Sequence, residues 1–150
     1  MKYEFLCNDN VDKYIEYLQK ALAEDPEQMW IEDVNVVEIA KRINDPFYQR
    51  TKSILAIKDG RVVGRIEYHF YGCVQDGFRM AYVDYVYVLK DYRKQGIAKS
   101  LFQQFETDCK KNAINQYFLI RATSEYANHF YGSFKGAQIS EEPLLRKDIV

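Results

Sequence analysis

The sequence predicts an α/β (α+β) fold with a mixed, mostly antiparallel central sheet flanked by helices. Three observations lead there. Helix-period stripes lie toward both ends, at Val11–Leu22 and Ile97–Cys109, where apolar residues recur three and four apart. Between them, Ser53–Leu89 is rich in β-branched and aromatic residues and is broken at Asp59-Gly60, a strong hairpin signal. A helix then separates the third of these strands from a fourth, which implies a crossover and a locally parallel pair.

Taken in order, Lys2–Cys7 reads as a short strand, and Asn8–Asp12 offers N-caps for a helix carrying Val11, Ile15, Leu18 and Leu22. That helix should end near Asp25-Pro26. A second helix is expected over Ile31–Ile43, with Val36, Ile39, Ala40 and Ile43 facing inward and Asn44-Asp45-Pro46 as its stop. Strands follow at Ser53–Lys58, Arg61–Tyr71 and Met80–Leu89, then a helix from about Gly96 to Lys111 with Ile97, Leu101, Phe102, Phe105 and Cys109 on one stripe. A strand at Gln116–Arg121, a short helix capped by Ser124, and strand material around Leu144–Val150 complete the order. No repeat or linker divides the 150 residues, so a single domain over 1–150 is expected.

Net charge is −1 and the pI about 6.1, so the overall basicity of a nucleic-acid binder is missing. Three Cys (Cys7, Cys73, Cys109) at wide spacings do not make a disulfide framework and suit a reducing cytoplasm. The N-terminus lacks the apolar run of a signal peptide, and no stretch approaches the roughly 20 apolar residues needed to cross a bilayer. A soluble cytoplasmic protein without a membrane partner is the expectation. His69 and His129 have no Cys partner at metal-ligand spacing, so no metal is expected.

The informative stretch runs Val86-Tyr-Val-Leu-Lys-Asp-Tyr-Arg93-Lys-Gln-Gly96-Ile-Ala98-Lys-Ser100. It places Arg-x-x-Gly-x-Ala between a strand and an amphipathic helix. A helix N-terminus offers unpaired N–H groups and the positive end of the dipole, a ready site for phosphate. Gly96 and Ala98 keep bulk out of the turn, and Arg93, Lys94 and Lys99 add positive charge. Ala98-Lys99-Ser100 is not a P-loop end, because Arg93 and Ala98 stand where that loop needs glycine. A dinucleotide fingerprint would need three spaced glycines, and only Gly96 is present. A merely structural turn is the competing reading.

Val86–Leu101 resembles the acetyl-CoA-binding motif of the GNAT N-acetyltransferase superfamily, and the resemblance extends through Tyr131. It implies that the backbone of Val86, Tyr87 and Val88 pairs with the pantetheine arm and that N–H groups from Arg93 through Lys94, Gln95, Gly96, Ile97 and Ala98 to Lys99 hold the pyrophosphate of acetyl-CoA. Ser124 stands where many members carry Asn, Ala127 matches their small residue, Asn128 is a further cofactor contact, and Tyr131 matches their helix Tyr near the thioester. One departure stands out: the glycine after Tyr131 is Gly136, one residue later than in many members.

The implied activity is transfer of the acetyl group to an amine of a small molecule or peptide by direct attack in a ternary complex. An amine with pKa about 10.4 must lose a proton to become a nucleophile, and the departing thiolate must gain one. Tyr131 is the expected acid. Asp84 is the first choice of base, since strand alternation sets it on one face with Val86 and Val88 upstream of the thioester. A bulge would disturb that alternation, and Glu67 and His69 are alternatives on their own shared face. A backbone N–H near Val88 would meet the developing oxyanion.

In the resembled family the first two helices wall the acceptor site. Here that region holds Glu24, Asp25, Glu27, Glu32, Asp33 and Glu38, which either attract a polycation or form a solvated face. A homodimer is left open. The alternative function is a catalytically silent acetyl-CoA-binding or interaction module of the same fold.

Overall fold

Five strands form one sheet: β1 (Lys2–Phe5), β2 (Thr51–Lys58), β3 (Arg61–Gly72), β4 (Arg79–Val88) and β5 (Gln116–Phe118), in the order β1-β2-β3-β4-β5. The first three junctions are antiparallel and β4 pairs β5 in parallel. Helix α4 (Ile97–Lys111) is the crossover between that last pair. The mixed, mostly antiparallel sheet expected from sequence is the one that forms. The computed structural model describes residues 1–149, in two compact units, Met1–Leu119 and a second that begins at Ile120; all five strands belong to the first.

Each face of the sheet is covered by an amphipathic helix. On one side the α4 stripe of Ile97, Leu101, Phe102, Phe105 and Cys109 is buried, and the Phe105 ring meets that of Tyr68 on β3 with centroids 4.6 Å apart. Burial pushes the Cys109 thiol up to about 12, which suits packing. On the other side α1 (Val11–Glu24) buries Tyr14, Ile15, Tyr17, Leu18 and Ala21 in one cluster with Leu55, Ile57 and Tyr87. The Tyr17 hydroxyl donates to the Tyr87 carbonyl at 2.9 Å, which satisfies the polar tip of a side chain only 2% exposed.

Four expectations need correction. The second helix begins at Val36: the Asn35 side chain caps it by accepting from Glu38 N–H at 3.1 Å, and a separate turn, α2 (Pro26–Met29), ends at Trp30 with φ +57. This helix, α3 (Val36–Asn44), buries no residue; Ile39 and Ile43 are half-buried, while Val36 and Ala40 are exposed. β5 stops at Phe118, three residues short of Arg121. No strand forms over residues 144–149, where Leu145 and Ile149 are each 86% exposed, and Val150 of that expected segment lies outside the described residues. A strand needs a neighbour to satisfy its amides, and this segment pairs with none among the described residues. Among those residues no helix is long and apolar enough to cross a membrane.

Candidate active site

The pairing of β4 is what shapes the site. β5 accompanies it only from Met80 to Tyr82, so Val83–Val88 has a strand partner on the β3 side alone. Leu89 N–H donates to Val63 O at 3.0 Å. Backbone groups alternate sides along a strand, so Tyr87 also addresses β3, whereas Val86 and Val88 direct theirs to the open edge. There the Val88 carbonyl accepts from Arg93 Nε at 2.9 Å.

The turn after β4 leads straight into α4. Gly96 is the N-cap residue with φ +78, a left-handed conformation that favours glycine, and it supplies no side-chain cap. A Cβ there would meet nothing within 4 Å, so backbone conformation and not crowding demands the glycine. The first helical bond runs from Ser100 N–H to Gly96 O at 3.0 Å, leaving the amides of Ile97, Ala98 and Lys99 at the helix mouth. Lys94, Gln95 and Lys99 are exposed around it, and Ile97 anchors the turn inward. Gly64 lets this corner close: a Cβ on it would come 3.2 Å from Val88 Cγ2 and 3.4 Å from Ile97 Cγ2.

Arg93 makes several contacts within the protein. Besides bonding Val88 O, its guanidinium lies 5.0 Å over the Tyr87 ring and 3.5 Å from Asp25, and the Arg93 backbone N–H donates to Lys90 O at 3.3 Å. It ties the turn to the end of β4. Glu24 joins that clamp, accepting from the Tyr87 hydroxyl at 3.1 Å and from Lys90 N–H at 2.7 Å.

A bulge decides the face of Asp84. Glu67 pairs with Tyr85 and Tyr68 pairs with Val83, so Asp84 is the extra residue. After it the alternation reverses. Asp84 therefore shares a face with Tyr85 and Tyr87, not with Val86 and Val88 as the unbroken pattern suggested. Glu67 and His69 of β3 lie on that same face, and His69 Nδ1 is 3.0 Å from Asp84 Oδ2. The three alternative bases thus belong to one surface. Burial raises the Asp84 carboxyl above its ordinary value; His69 opposes the rise and Glu67 adds to it.

Beside this trio lies a buried polar knot that sequence reading missed. Arg65 is 5% exposed and donates to the Tyr14 hydroxyl at 2.7 Å and to Glu67 Oε2 at 3.0 Å, with the Tyr85 ring 4.9 Å away. Ser53 Oγ adds a 2.8 Å bond to the same Glu67 oxygen. Burial lifts the Tyr14 hydroxyl to about 12, so it stays protonated. The available signal was Arg65-x-Glu67, opposite charges two apart inside a largely apolar strand. Glu67, Arg65 and Tyr85 floor a cavity of about 570 Å³ beneath α1 and α3, walled by side chains such as Phe5, Leu18, Met29, Ile39 and Ile43.

Of the six carboxylates considered for the acceptor, none lines this cavity. Glu24 and Asp25 belong to the clamp, Asp33 accepts from Val34 N–H, and Glu38 pairs with Lys41.

In the second unit α5 (Glu125–Gly132) starts as expected: Ser124 Oγ accepts from Ala127 N–H at 3.2 Å. Asn128 bonds Arg121 and, at 3.1 Å, the Thr123 carbonyl. Tyr131 packs between Phe130 and Phe134, with centroids 5.1 and 5.7 Å away. Burial raises its hydroxyl above the ordinary value, with Arg121 opposing. No group of three or more metal-ligating side chains occurs among the described residues.

Comparison with known proteins adds a family to this geometry. The model described as "Acetyltransferase (GNAT) family" matches residues 11–136. No curated protein matches the sequence. Among solved structures, an aminoglycoside acetyltransferase from an uncultured soil metagenomic sample, in complex with trehalose, superposes with TM-score 0.82 at 17% identity, covering 99% of this chain and 96% of that one. A ribosomal-protein-alanine N-acetyltransferase from Brucella melitensis biovar Abortus 2308 gives 0.74 at 18%, covering 98% and 100%. A predicted acetyltransferase with acetyl-CoA from Clostridium acetobutylicum gives 0.72 at 15%, covering 97% and 95%. At these identities the likeness is one of fold.

Proposed function

This chain belongs to the acetyltransferase (GNAT) family, and from that premise we propose that it moves the acetyl group of acetyl-CoA to an amine by direct attack. The observation that carries the reading is the unaccompanied edge of β4 running into the uncapped mouth of α4. Val86 and Val88 offer outward backbone groups spaced for an amide-bearing arm. The amides of Ile97, Ala98 and Lys99, with Lys94, Gln95 and Lys99 side chains around them, suit a pyrophosphate. Acetyl-CoA supplies an acetyl thioester. On the family resemblance Ser124 contacts the pantetheine and Asn128 is a further cofactor contact.

The chain's own groups then manage charge and protons. The acceptor nitrogen forms a bond to the carbonyl carbon while the carbon–sulfur bond breaks. Asp84 takes the proton lost by the nitrogen, and its raised pKa makes it a better base than an ordinary carboxylate. His69 holds Asp84 in place. The Val88 N–H faces the developing oxyanion. Tyr131 gives its hydroxyl proton to the departing thiolate, and burial keeps that proton in place until it is needed. Three unpaired thiols fit a cytoplasmic setting.

Two measurements test this. Acetyl-CoA at 100 times its Kd should stabilise the fold by about 2.7 kcal/mol in thermal unfolding. Tyr131→Phe should lower kcat by about 10²–10⁴-fold while acetyl-CoA affinity is unchanged. Stabilisation by acetyl-CoA with no thiol release from any amine would select the silent binding module.

A further inference from the structure

The charges lining the cavity do not match the polycation that the acidic α1–α3 region suggested. Two cations border it, Arg42 and Arg65, against one carboxylate, Glu67, and Arg65 is the one that pairs with Glu67. The wall between them is apolar, formed by side chains such as Leu18, Met29, Ile31, Ile39 and Ile43. Its volume of about 570 Å³ is within the usual range for small-molecule sites.

The lone carboxylate is also oriented. Arg65 and Ser53 both bond Glu67 Oε2, which fixes the side chain and leaves Oε1 for a donor. Glu67 lies on the face that carries Asp84 and His69, so an amine at Glu67 is beside the proposed base. Lys52 turns its ammonium to Asp108 of α4 at 2.8 Å, across the sheet from the cavity, and Arg42 of α3 is the cation at the rim. A ligand with one ammonium finds one partner here. A ligand with several brings the rest to Arg42, hydrocarbon or uncharged groups such as Gln49 and Thr51, with no second carboxylate in the lining to balance them.

We infer that the acceptor taken by this cavity is a monoamine on an apolar body, its nitrogen at Glu67 and its far end neutral or anionic, and not a polyamine or aminoglycoside. The inference rests on the acyl-transfer reading above and assigns the acceptor class to it.

The test uses the full chain with phenethylamine, spermidine and kanamycin as probes. With acetyl-CoA, thiol release should show kcat/KM for phenethylamine at least about tenfold above both polycations. Without acetyl-CoA, ligand-observed NMR should show phenethylamine binding that Ile39→Trp, which fills the cavity, weakens by about tenfold. Arg42→Glu, at an exposed position, should swing the spermidine-to-phenethylamine ratio toward spermidine by about tenfold, and it reads the charge even if Ile39→Trp does not fold. A preference for spermidine or kanamycin, or phenethylamine binding indifferent to both substitutions, overturns the inference. If no amine releases thiol, the acyl-transfer reading falls separately. Cavity-dependent phenethylamine binding then still upholds the ligand class, and its absence overturns that too.

Discussion

Asp84 owes its proposed role to one extra residue in β4, and its titration gives that role a measurable form. The carboxyl is raised by burial above the ordinary value of 3.8. A base works unprotonated, so the acid limb of the kcat/KM profile should fall above that ordinary value. Asp84→Asn should lower kcat/KM by about 10²–10⁴-fold and remove the limb. The stability sign runs the other way. A raised folded-state pKa means the native state holds the proton more tightly, so the carboxyl's contribution is present below the unfolded pKa and lost as pH rises through the folded one. At neutral pH the Asn variant should therefore melt no lower than the parent, which separates lost chemistry from lost fold.

The corner from β4 to α4 is where an element's geometry becomes a binding feature. Gly96 at φ +78 turns the chain so that the first helical amides face outward, and a Cβ there meets open space. Gly96→Ala should thus cost only backbone strain, about 1–2 kcal/mol in urea unfolding, with acetyl-CoA affinity falling as the turn relaxes. Phe105→Ala is the contrast. It empties a fully buried site between α4 and the sheet and should cost about 3–5 kcal/mol. A smaller loss for Phe105→Ala than for Gly96→Ala would contradict the packing described for that face.

At the scale of the whole molecule, we hold to one domain over 1–150 as a proposal. It predicts a single thermal transition with matching calorimetric and van't Hoff enthalpies; two separate transitions would divide the chain near Leu119. Much of the architecture was legible beforehand because it is written locally. The α4 stripe, the Asp59-Gly60 hairpin, the crossover to a parallel β5 and the Ser124 cap each depend on residues close in sequence. The glycine turn ahead of α4 was legible for the same reason, since one glycine and the helix behind it define it. The contacts of Arg93 with Tyr87 and Asp25 were not legible, because Asp25 lies far from it in the chain.

By itself, then, the sequence determined most of the elements, their order and the glycine turn ahead of α4, because periodicity and backbone preference act over a few residues. Tertiary structure decided which way Asp84 faces, how Arg65 and Ser53 orient Glu67, and what charge borders the cavity. Those features arise from strand register and helix packing, which bring together residues as distant as Tyr14 and Arg65, and no local pattern encodes them.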